Sequence, residues 1–201
     1  MFTVWRIVKQ KHARNAFSGE GARLYGGLWN RPGTAMVYAA GSQSLAILEM
    51  LVHLDSPDLL KRYVLFGVEV DESLITTMDR SVLPKNWKKD PAPMRVQAIG
   101  DDWAKSLESV VLSVPSVLVP SESNFLINPR HPDFPGLSIG KPLSFRMTLL
   151  ESWHGDVELM TRGRQTVAVW LSASPIVDAE SGYVNGVVIV LGSPKVIAMA
   201  I

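Results

Sequence analysis

The 201-residue chain contains no cysteine, and that single absence removes disulfide scaffolds, thiolate zinc sites and thiol nucleophiles together. Net charge is nearly absent too: 20 Lys and Arg face 19 Asp and Glu, a formal +1 at pH 7. No general positive field is present to hold a phosphate backbone, so direct nucleic-acid binding is not expected. Long apolar runs are missing, since none reaches the roughly 20 residues that span a bilayer, and no membrane association is expected. The first residues carry charges at Arg6, Lys9 and Lys11 rather than the basic-then-apolar order of a signal peptide, so a cytoplasmic protein is expected. The four histidines, at positions 12, 53, 131 and 154, contain no pair with the spacing of a metal helix or finger, and no metal is assigned. Walker and Gly-x-Ser-x-Gly motifs are absent, which removes the common nucleotide-triphosphatase and serine-hydrolase templates.

What is present is core-forming material, with 47% hydrophobic residues, enough for a folded globule. The chain changes character near Met147. Before it lie 17 basic and 14 acidic residues and eleven of the 13 prolines; after it lie 3 basic, 5 acidic and two prolines. These shifts predict a main domain over residues 1–147 and an extension over 148–201.

Within the main domain, Thr3 to Val8 alternates and reads as a strand. Residues 18–33 hold five glycines and read as loop. Thr34 to Ala40 reads as a strand, followed by a helix capped by Ser42 or Ser44 and running to about Leu54, with Leu45, Leu48 and Val52 on its apolar stripe. Glu49 falls beside that stripe. Tyr63 to Val70 alternates as a strand, and Asp101-Asp102 offers a cap for a helix to about Ser109. Two strands, Val110 to Val114 and Ser116 to Val119, are expected on either side of Pro115. Ser121 to Pro132 reads as a polar and proline-rich stretch around a short apolar core. Strands with few helices indicate an α+β domain.

The residues that permit chemistry are Arg23, Tyr25, Trp29, Tyr38 and Glu49. Aromatic faces can clamp a flat heterocycle, and a carboxylate can stabilise the positively charged sugar formed when a glycosidic bond to nicotinamide breaks. Against this, a strand tyrosine is commonly core, a helical glutamate commonly faces water, and Ser116 after Pro115 can be a turn hydroxyl.

Residues 17–30 (FSGEGARLYGGLWN), Val37-Tyr38, residues 46–53 (AILEMLVH), 100–103 (GDDW), 114–116 (VPS) and 120–132 (PSESNFLINPRHP) resemble, in family order, the RES domain. The resemblance covers residues 1–146. It implies a fold similar to ADP-ribosyltransferase catalytic domains and the toxin role of bacterial Xre-RES toxin-antitoxin pairs. NAD is then the substrate, degraded by a glycohydrolase or phosphorylase reaction or used for ADP-ribose transfer, with an Xre-type antitoxin as partner. Carried over by position, Glu49 would orient ribose hydroxyls and stabilise the oxocarbenium, Tyr38 would stack on nicotinamide and Ser116 would hydrogen-bond NAD. Trp29 belongs with the cofactor-binding aromatics, and Arg23 would pair with the pyrophosphate. Asn124 and Asn128 fit as wall or turn residues.

One departure stands out: the family usually has Gly-Gly-Arg-Trp-Asn where this chain has Leu28. A lost charge-assisted contact of about 1.5 to 3 kcal/mol corresponds to roughly 10- to 100-fold weaker function. The resemblance therefore implies an attenuated toxin or, alternatively, an inactive module that binds the antitoxin. Arg23 or Arg31 could fill the charge role. Residues 158–162 (ELMTR), 169–178 (VWLSASPIVD) and 186–191 (GVVIVL) resemble the last three strands of a PAS domain within residues 156–191. A β-rich C-terminal extension, with a hairpin or meander turning at Asp178 to Gly182, is expected.

Overall fold

Alternating β-branched and aromatic residues pair residues 2–9 and 63–70 over eight registers, from Phe2↔Val70 to Lys9↔Tyr63. These strands, β1 (Phe2–Lys9) and β3 (Tyr63–Val70), anchor one half of a mixed sheet in a computed structural model of the protein. The structure describes residues 1–52 and 62–144, and beyond them three strands of backbone at residues 153–160, 166–177 and 184–192. The chain divides into two compact units, Met1–Ser144 and Phe145–Ile201.

The other half of the first sheet is built from β2 (Val37–Ala40), β4 (Ile75–Thr77), β5 (Val111–Pro115) and β6 (Ser123–Ile127). Two short strands, β7 (Ser138–Ile139) and β8 (Leu143–Ser144), both pair with β3. The order is β4-β5-β6-β2-β1-β3-β7, and among the described pairings only β4 and β5 run parallel. With α1 (Glu20–Tyr25), α2 (Gln43–Leu51) and α3 (Met94–Ser106), this is an α+β fold with few helices.

Both faces of the sheet are covered, so the period of two sorts side chains into two cores. Val37, Phe125 and Ile127 join Val4, Val68 and Val111 in one. Leu112, Val114 and Leu126 join Trp29, Met36, Val96 and Trp103 in the other, beneath α3. Gly100 of α3 lies where an added Cβ would run into the Trp29 carbonyl, which explains the close seating of that helix.

Several expectations are corrected. Residues 20–25 form α1 inside the glycine-rich stretch, entered through Gly19 at φ 69°, a conformation that suits glycine. The helix expected to start at Asp101 begins instead at Met94, after Pro93, and ends at Ser106. Asp101 lies in its interior, buried against Arg31, so an acidic pair that looks like a cap serves a tertiary ion pair. Residues 116–119 form no strand; the next strand is β6, because residues 123–127 fill the slot between β2 and β5. On α2 the buried residues are Leu45, Ala46 and Ile47, whereas Val52 is exposed. The expected end of that helix at Leu54 lies outside the described residues.

Asn128 and His131 act as fastenings around the end of α3. Asn128 Nδ2 donates to the Ala104 carbonyl at 2.8 Å, and its Oδ1 accepts from the Arg130 amide at 3.0 Å. His131 Nδ1 accepts from the Asp133 amide, which leaves Nε2 to donate to the Leu107 carbonyl at 3.1 Å.

In the second unit, β9 (Trp153–Met160), β10 (Thr166–Val177) and β11 (Val184–Gly192) form a three-stranded antiparallel sheet in the order β11-β10-β9. Register shifts between Ile176 and Val177. The expected turn at Asp178 to Gly182 lies outside the described residues.

Candidate functional site

The sheet of the first unit parts at its middle. While β1 pairs with β3 over its full length, it meets β2 at the single register Trp5↔Ala40. Beside this split lies a pocket of about 220 Å³, whose lining includes Trp5, Arg6, Tyr38, Glu49, Met50 and Asn124. Strand, helix and sheet centre thus each contribute polar groups to one cavity.

Glu49 comes from α2. Ser42 caps that helix, its hydroxyl accepting the Leu45 amide at 3.1 Å. The same hydroxyl lies 3.3 Å from Glu122 Oε2, tying the helix start to the loop after β5. That loop carries Ser116, fully buried, whose Oγ donates to Glu49 Oε1 at 2.7 Å. From β6, Asn124 Nδ2 donates to the same Oε1, also at 2.7 Å.

Arg6 reaches across the strand split. Its Nη1 donates to the Tyr38 carbonyl at 2.7 Å and its Nε to the Ala16 carbonyl at 2.6 Å. Among the described residues no carboxylate lies within salt-bridge reach of it. Burial lowers its pKa to about 10, so it remains a cation at neutral pH. A guanidinium held by two neutral carbonyls keeps its charge available to an anion.

Tyr38 stands on the wall between these groups and the second core. Its hydroxyl donates to Asn30 Oδ1 at 2.7 Å and accepts from the Trp29 amide at 3.0 Å. Burial pushes the phenol above its ordinary value, partly opposed by the Trp29 amide bond, so it stays protonated. Both polar functions of the side chain are used, and its ring is held in one orientation.

The structure therefore brings Glu49, Tyr38 and Ser116 together, the first two at the pocket and the third hydrogen-bonded behind Glu49. It does not bring Trp29 or Arg23 there. Trp29 is 2% exposed and packs in the core under α3, 6.1 Å from the Trp87 ring, so no face is open to a cofactor. Arg23 is ion-paired with Glu20 at 2.6 Å on the surface. Leu28 packs on the second core and does not line the pocket.

Sequence reasoning missed Arg6 and passed over Asn124. Arg6 stands between Trp5 and Ile7 in the middle of a strand whose other charge, Lys9, lies at its end, and that placement was the available signal. A charge within a strand that pairs on both sides needs a specific reason to be there. No group of three His, Asp or Glu among the described residues could hold a metal ion, and no described helix is long and apolar enough to cross a membrane.

Comparison with known proteins gives the family. The family model described as RES domain matches residues 3–148. A protein named Toxin Res from Yersinia enterocolitica serotype O:8 / biotype 1B is 44% identical over 143 residues, covering 71% of this chain and 94% of that protein. The Prs ADP-ribosylating toxin of Sphingobium sp. (strain YBL2) is 43% identical over 143 residues, covering 68% of this chain and 88% of its own length. Toxin Res from Photorhabdus laumondii subsp. laumondii is 38% identical over 131 residues, covering 65% of this chain and 84% of that protein. By the family match and by these relatives, the chain belongs to the RES domain family.

Proposed function

We propose that the first unit is the toxin of a toxin-antitoxin pair, with an ADP-ribosyltransferase-like active site that breaks the bond between nicotinamide and ribose in cytoplasmic NAD. The observation that carries this reading is the Glu49 carboxylate, held by two donors in a pocket that also contains the Arg6 cation. As the C1′–N bond breaks, its electron pair leaves with nicotinamide, which becomes neutral, and the ribose becomes oxocarbenium-like. A fixed carboxylate beside that sugar stabilises the charge as it develops, without reorganising.

The remaining roles follow from what each group has left to offer. Arg6 would pair with the pyrophosphate, the part first expected of Arg23, because it lines the pocket and has no acidic partner among the described residues. The Tyr38 ring would lie against nicotinamide, and Ser116 would act on the substrate through Glu49. An acceptor oxygen then forms the new bond to C1′, and where that acceptor is water or a hydroxyl it gives up its proton. Water makes the reaction a glycohydrolysis, phosphate a phosphorolysis and a protein side chain an ADP-ribosyl transfer. The name of the Sphingobium relative supports the transfer branch, and the relatives named Toxin Res support an antitoxin partner, which we take to be of Xre type.

Leu28 favours a second reading, an inactive module that retains only antitoxin binding. Its packing outside the pocket argues for retained activity instead. Incubating the purified chain with NAD and following free nicotinamide separates the two. Release that disappears in Glu49→Ala supports the enzyme; no release at high protein concentration sinks it.

A further inference from the structure

The polar cluster at Glu49 contains one group left incomplete. Asn124 Nδ2 lies 2.7 Å from Glu49 Oε1. An ionised carboxylate has no proton to give, so chemistry fixes the amide's orientation: the NH2 group faces Glu49 and the carbonyl oxygen faces elsewhere. That oxygen, Oδ1, is buried and accepts no hydrogen bond from the described residues. Folds rarely leave a buried acceptor in this condition without a reason.

The neighbouring carboxylate shows a matching asymmetry. Glu49 Oε1 receives both Ser116 Oγ and Asn124 Nδ2, while Oε2 accepts from no described residue. Glu49 and Asn124 both line the pocket. Among the described residues, the pair therefore leaves two acceptors unused on adjacent side chains. A ligand completes them by offering two hydroxyl donors on adjacent carbons, and a ribose diol is such a group.

We infer that Asn124 is a substrate-recognition residue: its Oδ1 accepts one hydroxyl of the nicotinamide ribose while the other hydroxyl donates to Glu49 Oε2. This rests on the NAD reading above and adds a second contact to the sugar. It also turns β6 from a wall into part of the recognition surface, which explains an asparagine in a strand otherwise used for core packing.

The test pairs variants with substrate analogues. The full chain and its Asn124→Ala and Asn124→Ser variants are assayed with NAD and with NAD lacking either the 2′- or the 3′-hydroxyl of the nicotinamide ribose. Comparing each analogue's penalty between proteins cancels its intrinsic reactivity. With the original asparagine, removal of the hydroxyl bound by Asn124 lowers kcat/KM by roughly 3- to 10-fold through that contact, the net worth of a neutral hydrogen bond. Asn124→Ala loses a similar factor on NAD and shows no further loss from that contact with that analogue, while its penalty for the other analogue persists. If Asn124→Ala fails to fold, Asn124→Ser and the analogue series on the original chain decide. Equal penalties in all proteins, or an original chain indifferent to both hydroxyls, overturn the inference and leave the NAD reading standing. A bridging water in place of the sugar produces that same indifference. An original chain that neither binds nor cleaves NAD overturns both.

Discussion

The Ser116 hydroxyl oxygen stands 2.7 Å from Glu49 Oε1 and 3.1 Å from each of the Leu118 and Val119 amides. Both backbone groups donate to it, so its own proton is left to the carboxylate. A turn after β5 thereby fixes the orientation of a side chain on α2. Replacing Ser116 with Ala should lower kcat for nicotinamide release by about tenfold or more, the range for a hydrogen bond to a charged group. KM should move less, since Ser116 touches the carboxylate and not the sugar. Two amides lose their acceptor, so unfolding in urea should also show a loss of about 1 to 3 kcal/mol.

Glu49→Gln keeps the shape of the side chain and removes its charge. If the carboxylate stabilises the developing cation, nicotinamide release should fall by about 100-fold or more, with a thermal midpoint close to that of the original chain. Activity within threefold of the original would remove Glu49 from the chemistry.

Arg6 spans two carbonyls, of Ala16 and Tyr38, across the gap between β1 and β2. Lysine carries the charge but lacks the planar fork that reaches both. Arg6→Lys should therefore lose stability, by about 1 to 3 kcal/mol for the bond forfeited, while retaining more activity than Arg6→Ala at equal folded fraction. Equal activity in the two variants would show that the charge plays no part in binding NAD.

Leu28→Arg restores the residue usual in the family at a position packed against the second core. Nicotinamide release and growth arrest should change by less than about threefold, the equivalent of well under 1 kcal/mol, and stability should fall by about 1 to 2 kcal/mol as apolar contact is lost. A tenfold gain in activity would show that this position meets NAD after all.

Asp101, buried in α3, accepts Arg31 Nε at 2.7 Å and the Arg31 amide at 3.2 Å. Burial alone would raise its carboxyl, but hydrogen bonds from Arg31 and Thr34, together with the Arg31 charge, hold it below the usual range. A depressed acid contributes stability above its unfolded pKa and loses it as pH falls through the folded value. Asp101→Asn should therefore cost about 1 to 3 kcal/mol near neutral pH, and the difference from the original chain should shrink below about pH 4. Denaturant titrations at pH 7 and pH 3 measure both ends; a difference that grows in acid would reverse the assignment.

How much of this was legible depended on how local each signal is. The strand at residues 63–70 was readable to its ends, because its run of β-branched and aromatic residues and the polar residues that bound it are neighbours in the chain. Ser42 was readable as a cap for the same reason. Asp101-Asp102 misled, because a cap and a buried ion-pair partner are written with the same residue type and only the position of Arg31 separates them. Residues 123–127 looked like an interrupted loop, since Ser and Asn at the strand's start serve Glu49 and the ladder rather than local propensity.

By itself, the sequence determined the α+β class of the main part, the family and the identity of Glu49, Tyr38 and Ser116 as the residues to watch, because those rest on patterns and motifs carried within short segments. The tertiary structure alone decided that β1 and β2 part at Trp5 and Ala40, that Arg6 bridges the gap, and that Trp29 and Arg23 face elsewhere. The physical reason is distance along the chain. Glu49, Ser116 and Asn124 come from three elements, and their hydrogen bonds join residues 67 and 75 positions apart; no local preference encodes where such partners meet.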